Sequence, residues 1–299
     1  MRRAVALASV LLSIFGLIHC KNKPSKPLTD KVKVVVTIPV LAAFARQVGG
    51  DRVQVTTLLS PGASPHTFEP TPSQARAAAQ ADLVVRIGLD ADRWIHGLLP
   101  KNVPLITATE LEGIELITES GHEEREAHPH HSANPHIWLD PAYAKIICSA
   151  IAEELGRIDP RAQAVYEKER DRYLTELDSL HIRIKAAVAE FGSKKYVSLH
   201  PAWIYFALRY SLERVAVIVS SPGKEPTPRH LQEVIESIKK TGARAVFAEP
   251  QLSPKAAQVI AKEAGVEVLF LDPLGKQNES YIKLMDRNLA VLSEAMGGR

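Results

Sequence analysis

Cysteine is nearly absent: Cys20 and Cys148 are the two in 299 residues. So few thiols exclude a disulfide scaffold and argue against a soft-metal cluster of the kind copper takes. Aromatic side chains make up only 6% of the chain, and 37 basic against 34 acidic residues leave a net charge of +3. With no arginine-rich stripe interleaved with aromatics, nucleic acid is excluded as a partner. Two chemical signatures are missing as well. There is no Gly-x-x-x-x-Gly-Lys-Ser/Thr phosphate loop, so the chain is not itself an ATPase of that type, and no His-Glu-x-x-His zinc-peptidase helix. Apolar content, by contrast, is ample at 45%. That suffices for about two domains with their own core, excludes disorder, and removes any need for a metal merely to fold. Histidine is where the composition stands out: there are eleven, five of them between His122 and His136.

The first twenty residues read as an address. Met1-Arg2-Arg3 is a positive start, and Ala4 to Ile18 is a mostly apolar run of 15 residues. A membrane helix needs about 18–20, so the run suits a secretory signal instead. It ends Leu17-Ile18-His19-Cys20, which resembles a bacterial lipobox whose cysteine becomes the lipidated first residue, although His19 stands where a small residue is usual. Export follows, to the periplasm or to a membrane surface through a lipid on Cys20. Cys148 shares a helical face with Ala144, Ile151 and Leu155 and is expected in the core.

Beyond a polar linker over 21–31, short apolar runs alternate with helical stretches. Strands are expected at Val32–Ile38, Val53–Leu59, Asp82–Ile87, Lys195–Leu199, Arg214–Val219, Ala243–Ala248 and Val266–Leu271. Helices are expected at about 39–49, 72–80, 141–156, 202–210, 228–241, 254–264 and 278–296. Such alternation implies α/β lobes with mostly parallel sheets. From Asp159-Pro160 to Phe191 nothing breaks the helical pattern. Tyr173, Leu177, Leu180, Ile184, Ala187 and Phe191 form one apolar stripe along it. The expected organisation is an N-terminal lobe over 32–158, a long linking helix over 159–191 and a C-terminal lobe over 192–299. Residues 119–135 lack periodicity and read as a polar surface loop.

Four residues stand in matching contexts. His66 lies in Pro65-His66-Thr67-Phe68-Glu69-Pro70 and His136 in Pro135-His136-Ile137-Trp138-Leu139-Asp140-Pro141. His200 and Asp272 each follow an expected strand directly, where ligands bind in open α/β sheets. His66 and His136 would face them from the other lobe. Glu69 and Glu249 read as turn or hydrogen-bond anchors.

Those strings, with His200-Pro201-Ala202-Trp203-Ile204-Tyr205-Phe206-Ala207, Phe247-Ala248-Glu249-Pro250-Gln251 and Leu271-Asp272-Pro273-Leu274-Gly275, carry a resemblance. From about Val32 to the C-terminus the chain resembles the cluster A-I solute-binding proteins of metal-uptake ABC transporters, the zinc- and manganese-binding lipoprotein family that includes ZnuA-type receptors. The resemblance implies two lobes bridged by a long, rigid helix and a metal held between them by His66, His136, His200 and Asp272. It implies a receptor, not an enzyme, acting as a monomer and delivering its ion to a membrane permease driven by a cytoplasmic ATPase.

Three imidazoles and a carboxylate suit tetrahedral zinc, whereas a glutamate at the position of His200 would favour manganese. Zn²⁺ is therefore the expected cargo, ahead of Mn²⁺ or iron. His122, His128, His130 and His131 form a candidate auxiliary metal loop. Two other classes compete. A zinc hydrolase would use three histidines plus water, with Glu69 or Glu249 as base. A surface adhesin is also compatible, since lipoproteins of this family have been described as binding host components.

Overall fold

The computed structural model describes residues 30–118 and 133–298. The signal segment, Cys20 and the loop residues His122, His128, His130 and His131 lie outside the described residues.

Strands β1 (Val32–Val36), β2 (Val53–Thr57), β3 (Leu83–Arg86) and β4 (Leu105–Thr107) form one sheet in the order β2-β1-β3-β4. Strands β5 (Lys195–Ser198), β6 (Glu213–Val217), β7 (Ala245–Ala248) and β8 (Glu267–Phe270) form a second, in the order β6-β5-β7-β8. Every pairing within the two sheets is parallel. Each lobe thus winds first to one side of its opening strand and then to the other. A crevice opens at the carboxyl ends where the winding reverses, between β1 and β3 and between β5 and β7.

The sequence of β1, Val-Lys-Val-Val-Val, is apolar on both faces because both faces are covered. Val32, Val34 and Val36 join one core and Val35 another. On the first face lie α1 (Pro39–Gly49), α3 (Pro141–Ile158), α4 (Gln163–Ala189) and α8 (Tyr281–Met296), which pack on one another. The same core takes in Tyr196 and Phe247 from the second sheet, so one continuous apolar cluster joins the lobes. Cys148 is fully buried within it. The outer face of the first sheet is covered by α2 (Pro72–Ala79), started by a Thr71–Gln74 capping box. The outer face of the second is covered by α6 (Pro228–Thr241) and α7 (Lys255–Ala264). Both end at a glycine in the left-handed region, Gly242 and Gly265.

The observed elements depart from the expected ones in places. The long helix begins at Gln163, because Pro160–Ala162 makes a tighter 3-10 turn after Asp159. Its 27 residues span about 40 Å at 1.5 Å each. The second strand ends at Thr57, although the amides of Leu58 and Leu59 still bond to the carbonyls of Val36 and Thr37. Finally, β4 has only three residues, too few to show a period.

Candidate metal centre

His66 stands in a 3-10 turn, Pro65–Thr67, that begins on proline. Trp94 Nε1 donates to the carbonyl of Pro65 at 3.0 Å, and the Phe68 ring packs edge-on against Trp94. His136 precedes the turn Ile137–Leu139, after which Asp140 caps α3 by accepting from the amide of Ala142. His200 lies two residues past β5, ahead of the turn Pro201–Trp203 that leads into α5 (Ile204–Tyr210).

The three rings converge on three atoms. His66 Nε2 is 3.2 Å from His136 Nε2, which is 3.1 Å from His200 Nε2. One ligand atom from each of the three lies within 4.8 Å of the others. Two nitrogens bound to a tetrahedral zinc at 2.0–2.1 Å would be about 3.3 Å apart, which the His66–His136 and His136–His200 spacings match. The far sides of the rings are anchored. Asn134 Oδ1 accepts from His136 Nδ1 at 2.9 Å, Glu249 Oε1 accepts from His200 Nδ1, and the His66 ring bonds to the backbone of Asp90. With its proton on Nδ1, a neutral imidazole presents the Nε2 lone pair. Carboxylate and carbonyl partners of this kind orient metal-binding histidines and raise their basicity.

Burial, and next the facing His200, bring the His66 pKa down to about 4. Burial, with His200 and His66 adding to it, holds His136 well below the ordinary imidazole range. Both rings are therefore neutral at pH 7, as metal binding requires. The space at the centre is about 10 Å³, room for one water-sized occupant. Pro65, Trp138, Pro222, Leu252 and Leu274 wall it with apolar surface. A single ion fits there.

Asp272 is not brought into this cluster. Its Oδ1 accepts from Gln251 Nε2 and from the amides of Leu274 and Gly275, and its Oδ2 pairs with Arg287 at 3.0 Å. Burial pushes its carboxyl up, but the bonds from Gln251, Arg287, Leu274 and Gly275 outweigh that and hold it below its usual range. Glu69 is exposed. Glu249, read from sequence as a hydrogen-bond anchor, anchors His200. Asn134 was not singled out in the sequence. Its signal was available, because an Asn-Pro step favours a turn in which the side chain accepts from the amide two residues on. That bond, from His136 N, is 3.0 Å.

Two parallel α/β lobes with a three-imidazole face at their crevice make a site suited to a single cation. A family model described as zinc-uptake complex component A, periplasmic (ZnuA), matches residues 34–295, and the chain belongs to that family. The family is one of receptors, not enzymes. The zinc-binding lipoprotein AdcA of Streptococcus pneumoniae is 31% identical over 311 aligned residues, covering 98% of this chain and 61% of AdcA. The chain thus spans about three-fifths of the length of that relative. A crystal structure of ZnuA superposes with a TM-score of 0.80 at 30% identity, covering 89% of this chain and 99% of the other. A mutant structure of the laminin-binding adhesin Lmb of Streptococcus agalactiae superposes with a TM-score of 0.78 at 30% identity, over 89% and 99% of the two chains.

Proposed function

We propose that the chain is the extracytoplasmic receptor of a high-affinity metal-uptake ABC transporter, and that it binds Zn²⁺ at His66, His136 and His200. The observation that carries this reading is the convergence of three Nε2 atoms, spaced 3.2 and 3.1 Å along the row, with each ring anchored from behind. An all-nitrogen face favours zinc over manganese, which prefers oxygen ligands. Asp272 is engaged by Arg287 and by the loop amides, so the fourth tetrahedral position falls to water. The zinc-binding name of AdcA supports the choice of ion. Delivery is to a membrane permease powered by a cytoplasmic ATPase, with a lipid on Cys20 keeping the receptor at the membrane. Among the described residues no helix is long and apolar enough to cross a membrane.

The test is a competition titration of chelator-stripped protein with Zn²⁺ against Mn²⁺. One tight zinc equivalent that excess manganese does not displace supports the reading. Preference for manganese overturns the ion, and absence of any tight site overturns the function.

A further inference from the structure

By chain order His136 belongs to the N-terminal lobe, yet the segment that carries it is hydrogen-bonded to the C-terminal one. Asn134 Nδ2 donates to the carbonyl of Pro201 at 2.9 Å, and the Tyr205 hydroxyl donates to the carbonyl of Asn134 at 2.7 Å. Trp138 Nε1 donates to the carbonyl of Pro273 at 2.7 Å, and the Tyr281 hydroxyl to the carbonyl of Trp138 at 2.8 Å. Arg209 Nε reaches both carboxylate oxygens of Asp140, at 3.0 and 2.9 Å. Pro201, Tyr205, Arg209, Pro273 and Tyr281 all follow the long helix in sequence.

His66 is held differently. The bonds around it run to Asp90 and, through Pro65, to Trp94, both of the first lobe. Toward the other lobe its turn only comes near Gly223, where an added methyl would meet Thr67 Cγ2 at 3.7 Å.

Asn134 is central to this division. Its Oδ1 accepts from both the amide and Nδ1 of His136, while its Nδ2 grips the residue next to His200. One side chain therefore sets the ring of one imidazole and fixes its distance from another. We propose that Asn134 is a positioning residue that fastens His136 to the C-terminal lobe beside His200, so that the site is a fixed pair of imidazoles closed by His66 alone. A pre-set pair loses little freedom on binding a cation, whereas a ligand from the other lobe must be brought to it. Release then starts with withdrawal of His66 and leaves the ion on two nitrogens, open to water.

This inference rests on the zinc-receptor reading, and its test separates the two. Zinc affinity is measured by chelator competition on the full chain and on H66A, H136A, H200A, N134A, N134D and the double variant H66A/N134A, with the melting of each apo protein as control. H66A is expected to bind at least about tenfold more tightly than H136A or H200A, because it alone keeps the pair. N134A weakens zinc about 10–100-fold, the usual effect of removing a partner behind a ligand, and H66A/N134A loses the advantage of H66A. N134D keeps an acceptor for the His136 ring but not the donor to Pro201, and falls between N134A and wild type. A folded N134A that binds zinc like wild type overturns the proposal. So does a ranking in which H200A is the mildest of the three, which would pair His66 with His136. If N134A does not melt cooperatively, the ranking of the histidine variants and N134D decides. Wild-type protein that binds no zinc overturns the receptor reading first.

Discussion

Glu249 is buried against His200, and its carboxylate accepts from the ring nitrogen opposite the one that faces the cluster. In the proposed zinc site it would aim a ligand and strengthen it. Glu249→Ala is therefore expected to weaken zinc about 10–100-fold, with Glu249→Gln, which keeps the acceptor, losing less. Equal losses in the two would contradict this. Asp272 makes the opposite case. Asp272→Ala should leave the zinc Kd within about threefold, under about 1 kcal/mol. It should nevertheless destabilise the apo fold by about 2 kcal/mol, because Gln251 and two amides lose their acceptor and Arg287 keeps only Glu279. A large loss of affinity with little change in melting would make Asp272 a ligand. The histidines also set a pH dependence. An unfolded imidazole takes a proton near pH 6.5, while the half-buried His66 resists until about 4. Below 6.5 the unfolded chain binds more protons than the folded one. Stability of the apo protein is thus full above pH 6.5 and is lost as the pH falls from there toward 4. Thermal melts of wild type and His66→Asn across that range check it: the variant should show the shallower decline.

At the scale of elements, the α4 stripe is the feature most legible in the sequence. Tyr173, Leu177, Leu180 and Ile184 are fully buried, as their spacing requires. The last turn differs at one position: Val188 is buried where Ala187 was expected, while Phe191, past the helix end at Ala189, still joins the core and bridges through its backbone to Gly297. Leu177→Ala removes apolar volume from the cluster that joins both lobes, and should cost about 2–5 kcal/mol by denaturant titration. Because that cluster is continuous, the loss should move one cooperative transition and not split it in two. Strand positions were legible where the strand reaches four residues or more. The three-residue β4 carries no period and was invisible. So was the 3-10 turn at Pro160, since proline suits the first turn of either helix type.

At the scale of the molecule, a strand end nominated His200, because residues just past parallel strands gather at one crevice, whereas His66 and His136 were nominated by their local strings and the family resemblance those strings carry. What could not be read was who holds whom across that crevice. The bonds from Asn134 to Pro201, from Trp138 to Pro273 and from Tyr281 to Trp138 join residues 67 to 143 positions apart, and local pattern does not encode them. The same limit applies to Asp272: its place after a strand was legible, its engagement by Arg287 from α8 was not. Those long-range contacts, together with the shared core, make the lobes one body around a narrow centre. The central claim is that this centre is a three-imidazole zinc site, and zinc K-edge X-ray absorption on the one-to-one complex tests it most directly. The account predicts nitrogen scatterers near 2.0–2.1 Å with the outer-shell pattern of three imidazole rings. A first shell of oxygens with one imidazole or none would contradict it.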